Sequence, residues 1–222
     1  MEFFFDILRA PWDAINWLTD ELFLFLSDLF DRFGTRIVFI AALMEATVGM
    51  GVVFPGVALM FLGGAYAADD PSKLLFVFLL AVVGTIIGDT LSYVMGRKGA
   101  HLLHQTRLSP SLRAGEAMMT GRTLWLIPFY HLASITRAIG PLGSGAVRVP
   151  LNTWMPLDYL GAVISNLIWV GAGALFGTAV LTEDGRIEEH PALRIGLAAG
   201  AFIWFYVVQN AFAKRWSEVV KR

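Results

Sequence analysis

Four ionisable side chains sit inside strongly apolar sequence: Glu45, Asp89, His131 and Arg137. Glu45 is the only charged residue between Ile37 and Ala68. A lone charge at membrane depth costs about 2.5–3.5 kcal/mol on insertion scales, so such a residue faces protein or a wet cavity and is functional by default. Two roles fit Glu45: a proton-titrating or substrate-coupling carboxylate, or a structural partner for Arg137. Arg137 keeps its charge, and its planar fork suits a phosphate or a carboxylate. It would recognise a lipid head-group phosphate, or pair with Glu45 or Asp158, and a resting ion pair could open when phosphate arrives. His131 has the side chain whose ordinary titration near pH ~6.5 suits proton coupling; a hydrogen-bonded core histidine is the competing reading. It precedes Arg137 by about 1.7 helical turns, so an unbroken helix would put the two on different faces. Asp89 sits beside the site or at the membrane interface near Arg97, and Asp158 reads as interfacial.

Other chemistries lack their residues. The chain has no cysteine, and its four histidines (101, 104, 131, 190) show no metal-binding spacing. No GxGxxG, Walker A or GxSxG pattern occurs, and no nucleophile–base pair stands at suitable spacing. Neither an enzyme nor a resident cofactor or metal is therefore expected. A net charge of −1 argues against nucleic acid as a partner.

The elements that must position these residues are apolar helices. Of the 222 residues, 56% are hydrophobic and 16% charged, against about 25% charged in soluble domains. The acidic, aromatic start MEFFFDILRAPWD has no basic region or small-residue cleavage site, so insertion is expected to rely on internal segments. Residues 14–32 alternate apolar and acidic positions at helical spacing and predict an amphipathic interfacial helix. The run 36–68 is too long for one span and too short for two. Pro55-Gly56 near its middle predicts a re-entrant hairpin or broken helix, with Pro55 and Gly56 at the tip.

Leu74–Gly96 reads as a full span, with Gly84, Gly88 and Ser92 forming a small-residue face. Residues 98–122 read as a basic, partly helical cytoplasmic connector. Residues 123–150 predict a second re-entrant element, interrupted at Gly140, Pro141 and Gly145. Spans follow at 154–180 and 192–212, separated by the acidic loop 182–191. Arg97-Lys98 and Lys214-Arg215 place those ends in the cytoplasm, including the C-terminus. Trp125, Trp154, Trp204 and Trp216 read as interfacial belts.

The expected architecture is an all-α polytopic membrane protein. It has an N-terminal amphipathic helix (1–35), a membrane core (36–180) and a tail segment (181–222). The core comprises halves 36–97 and 123–180, and the fold includes about three full spans. Broken segments at corresponding places in two halves suggest an inverted-repeat, transporter-like core.

These residues resemble the DedA family, whose core is the SNARE-associated or VTT domain. The likeness runs over about 37–180. It rests on Glu45, on FPG at 54–56, on Gly63-Gly64 and on GDTLSYVMGRKG at 88–99. In the second half it rests on Arg137, Pro141, Gly145, Gly161, Gly173 and Gly177. Val57 stands where the family usually has an acid, His131 where it has an arginine, and Ser134-Ile135 where it has Pro-Gly. The resemblance implies two re-entrant hairpins and lipid movement across the bilayer, with proton-motive-force dependence in bacterial members. It implies a membrane phospholipid or polyprenyl phosphate as partner, with protons, and is compatible with a homo-oligomer. The expected function is therefore a flippase- or scramblase-like translocase in a bacterial inner membrane. A proton-coupled transporter of a small solute or ion, or a non-transporting scaffold, are the alternatives.

Overall fold

The computed structural model describes residues 28–48, 50, 56–104, 121–132 and 134–180, with Glu21 and Phe25. Pro55, most of the N-terminal amphipathic helix, most of the connector, the acidic loop, the 192–212 span and the tail lie outside the described residues. The described part is helical. Helix α1 is Arg36–Ala46, α2 Gly56–Tyr66 and α3 Pro71–His104. A 3-10 helix, Gly121–Leu132, is followed by α4, Ser134–Ala146, and α5, Leu151–Val180.

Local sequence sets these boundaries. Asp70 starts α3: its carboxylate accepts from the backbone N–H of Ser72 at 2.9 Å and Lys73 at 3.2 Å, and Pro71 fills the first helical position. Gly34, at φ +59°, closes the preceding turn by donating to the Phe30 carbonyl. Ser92 of α3 holds the end of α1, donating to the Ala46 carbonyl at 3.0 Å and accepting from Val48 N–H at 2.8 Å. The Ala46 carbonyl is one of the acceptors that a helix C-terminus leaves without an intrahelical partner.

Among the described residues, two helices are long and apolar enough to cross a membrane, over Pro71–Gly99 and Leu151–Phe176. At 1.5 Å per residue the first stretch is about 43 Å long, more than the ~30 Å hydrocarbon core. Helix α3 therefore continues past Gly96 to His104, taking in residues the sequence reading gave to the connector.

The shorter elements pack on these two in a crossed pattern. Helix α1 packs on α3 and the 3-10 helix on α5, each within its own half; α2 packs on α5 and α4 on α3, each across halves. The crossed junctions share one register. A Cβ on Gly64 would strike the Val170 carbonyl and approach Ala174 N; a Cβ on Gly145 would strike the Tyr93 carbonyl and approach Arg97 N. Reciprocally, Gly173 meets Phe61 and Ala65, and Gly96 meets Leu142 and Ala146. Backbones approach this closely only where side chains are absent. The Gly84–Gly88–Ser92 face likewise seats α1: Gly84 lies against the Phe39 carbonyl and Gly88 against that of Leu43.

Two apolar clusters bracket the interior. One gathers Ile37, Val38, Leu59, Met60, Val77 and Val170; the other gathers Tyr93, Ile127, Tyr130, Val149 and Trp154. Helix α3 thus enters the first cluster early and the second late, and α5 does the reverse, so the two run in opposite senses. The buried polar residues Thr85, Asp89, Asp158, Ser165 and Asn166 fall between the clusters along both helices. Trp154 is fully buried, stacked on Tyr93 at 4.3 Å, which corrects its reading as an interfacial residue; Trp125 is exposed.

Candidate functional site

Five elements deliver side chains to the polar interior: Glu45 from α1, Thr85 and Asp89 from α3, Tyr130 and His131 from the 3-10 helix, Arg137 from α4, and Asp158 and Asn166 from α5. All are buried. They form two linked groups.

The first group centres on Arg137, 2% exposed. Its Nη1 lies 3.4 Å from Glu45 Oε1 and its Nη2 donates to Thr85 Oγ1 at 3.1 Å. Asn166 donates to the same hydroxyl at 3.0 Å and to the Ala162 carbonyl at 2.8 Å. Arg137 Nε and Nη1 and Glu45 Oε2 have no hydrogen-bond partner among the described residues. Pro141, four residues on, has no N–H to return to the Arg137 carbonyl, which frees a backbone acceptor in the same turn.

The second group centres on His131. Its Nε2 lies 3.2 Å from Asp158 Oδ1 and its Nδ1 3.9 Å from Asp89 Oδ2. Tyr130 donates its hydroxyl to the same Asp158 oxygen, and Trp154 Nε1 donates to the Tyr130 oxygen at 3.2 Å. Ser165 donates to the His131 carbonyl at 3.2 Å. Asp89 interacts electrostatically with Asp158, Arg137 and Glu45, which joins the groups. The donor atoms of Asp89, His131 and Asp158 all lie within 4.8 Å of one another, the one metal-capable cluster among the described residues.

Glycines make room for these side chains. A Cβ on Gly56 would come within 2.7 Å of Glu45 Cβ and 2.8 Å of the Ala41 carbonyl. One on Gly140 would meet the Tyr130 ring at 2.7 Å, and one on Gly161 would meet Pro128 Cα at 2.7 Å.

Glu45 and Arg137 do pair. His131 does not contact Arg137; it turns to the two aspartates. Asp158 is fully buried in the site, not interfacial, and Asp89 is equally buried. Gly140, Pro141 and Gly145 do not mark a break: α4 runs through all three. The two glycines serve close packing, Gly140 at Tyr130 and Gly145 at Tyr93, rather than a break. Gly56 opens α2, adjoining the first interruption. Thr85, Asn166, Tyr130 and Ser165 carried no sequence signal, since hydroxyls and amides are ordinary in apolar helices and their partners are remote in the chain.

The GDTLSYVMGRKG stretch gains a physical account residue by residue. Gly88 admits α1, Asp89 joins the site, and Gly96 admits α4. Tyr93 stacks on Trp154 and donates to the Val149 carbonyl, and Arg97 donates to the Tyr93 hydroxyl at 2.8 Å.

Comparison with known proteins agrees with this pattern. The profile of the VTT domain matches residues 54–175. The chain is 28% identical over 151 residues to inner membrane protein YohD of Escherichia coli (strain K12), covering 65% of this chain and 77% of YohD. It is 24% identical over 188 residues to Protein DedA of the same strain, covering 78% and 84%. An uncharacterized membrane protein of Synechocystis, slr0232, is 25% identical over 207 residues, covering 84% and 89%. No solved structure matches significantly. With more than half of its length inside the VTT profile, the chain belongs to the DedA family of VTT-domain membrane proteins.

Proposed function

We propose that this protein is a lipid translocase that moves an anionic or zwitterionic phospholipid, or a polyprenyl phosphate, across a bacterial inner membrane. One observation carries the reading: a buried guanidinium held at mid-length of two membrane-length helices with donors to spare. Thr85, its neutral partner, is the central residue of the 29-residue apolar stretch of α3. A phosphate entering there would accept from Nη1–H of Arg137, displacing Glu45, and the unused Nε–H on the opposite edge of the guanidinium would remain for a second acceptor. Leu79, Val83, Ile87, Leu160, Ile164 and Leu167 are exposed on α3 and α5, an apolar surface along which acyl or prenyl tails would stay in lipid.

The crossed packing supports two inverted-repeat halves with broken, re-entrant elements, the framework in which one half rocks against the other. Matching the halves at Gly96 and Gly173 puts Asp89 and Asn166 at equivalent places, each seven residues earlier. Arg97-Lys98 would face the cytoplasm, as would the C-terminus.

The test is lipid exchange in liposomes carrying the purified protein, with fluorescent phosphatidylethanolamine, phosphatidylglycerol and a polyprenyl phosphate as separate substrates. Wild type is expected to accelerate exchange of at least one. Arg137→Ala and Glu45→Ala, folded and inserted, are expected to lose it. Normal exchange by either variant sinks the reading. Proton-dependent uptake of a small solute without lipid exchange would favour the solute transporter instead.

A further inference from the structure

We infer a divalent-cation site between Asp89 and His131, supported by Asp158, whose occupant is a zinc-class ion. It stands independently of lipid movement.

The site begins with the tautomer of His131. Asp158 Oδ1 already accepts from Tyr130, so it acts as an acceptor, and the His131 Nε2 beside it at 3.2 Å is the N–H donor. A neutral ring then presents Nδ1 as a bare lone pair. That nitrogen faces Asp89 Oδ2 across 3.9 Å, too far for a hydrogen bond. His131 Nδ1, both Asp89 oxygens and Asp158 Oδ2 have no hydrogen-bond partner among the described residues, and all three side chains are fully buried. A zinc ion lies about 2.0–2.2 Å from nitrogen and carboxylate ligands. A 3.9 Å separation is therefore spanned by one ion with little movement of either donor. The Asp158 carboxylate on the far ring nitrogen completes the carboxylate–histidine–metal arrangement that orients an imidazole ligand.

Charge points the same way. Among the described residues the buried charged side chains are Glu45, Asp89 and Asp158 against Arg137, and the tautomer assigned above leaves His131 neutral. Ionised together, they leave two negative charges in excess, which one divalent cation balances; buried charges are paired or bind metal. Mixed imidazole and carboxylate donors favour zinc over magnesium, which prefers an all-oxygen shell.

The experiment uses the full chain in detergent, stripped with EDTA, equilibrated with Zn²⁺ or Mg²⁺ and desalted. Metal content and the thermal unfolding midpoint are then measured. The expected result is about one zinc per chain with a raised midpoint, and no effect of magnesium. Asp89→Asn and His131→Arg are expected to hold no zinc there, the arginine placing a permanent cation in the gap. Asp158→Asn is expected to weaken zinc binding about 10–100-fold, as loss of a supporting carboxylate does. A zinc-free wild type overturns the inference, as does equal zinc content in wild type, Asp89→Asn and His131→Arg. If the variants do not fold, X-ray absorption of zinc-loaded wild type decides: a shell of nitrogen and oxygen near 2 Å that includes one histidine supports the site, and a shell without histidine overturns it.

Discussion

Arg137 and Glu45 stand 3.4 Å apart although they come from different halves of the chain, on α4 and α1. Neither helix is long enough to cross a bilayer by itself, so each charge is buried only because the other elements surround it. Removing one partner of a buried pair strands the other and costs about 3–5 kcal/mol. Arg137→Gln and Glu45→Gln are each expected to lower the thermal unfolding midpoint in detergent sharply. The double variant, with two neutral amides, is expected to recover much of that loss while remaining inactive. Additive losses in the double variant would show that the two residues do not couple.

That pair was the part of the site legible in sequence, because a lone charge in an apolar run must find a partner. The His131 group was not legible. Asp158 sits near a helix start and looks interfacial, yet α5 carries it inward beside Tyr130. Metal-like spacing along the chain gave no warning, because the three donors come from three elements. The continuity of α4 through Ser134–Ala146 is hidden for a related reason. Gly140, Pro141 and Gly145 look like turn residues, but in tightly packed membrane helices small residues more often mark contact.

Thr85 is the hydroxyl shared by Arg137 and Asn166. Thr85→Val keeps the shape and removes the acceptor, leaving two buried donors short of a partner, at about 1–3 kcal/mol. The ion pair with Glu45 survives. The expected outcome is a folded protein with a reduced rate of lipid exchange in liposomes and a modestly lower melting midpoint. An unchanged rate would remove Thr85 from the set that positions Arg137.

Ser92 ties the end of α1 through two backbone groups, Ala46 and Val48. Ser92→Ala removes both contacts at once, and each net hydrogen bond is worth about 0.5–1.5 kcal/mol. The first interruption, next to Glu45, is expected to loosen. Faster hydrogen–deuterium exchange confined to residues just after Ala46 would bear this out; uniform exchange would not.

The four junction glycines make the sharpest stability test, because nearby glycines act as internal controls. A methyl group on Gly145 or Gly173 would run into the backbone carbonyl of Tyr93 or Phe61. Backbone cannot swing aside as a flexible side chain can, so α4 would have to lift from α3, or α2 from α5. Gly143 and Gly171 lie in the same helices with nothing within 4 Å of an added Cβ. There alanine only restricts the unfolded chain and favours the helix, worth about 0.5–1 kcal/mol. Gly145→Ala and Gly173→Ala are therefore expected to lower the melting midpoint, and Gly143→Ala and Gly171→Ala to leave it unchanged or raise it. Equal behaviour of the two sets would mean that the crossed junctions are looser than this packing requires.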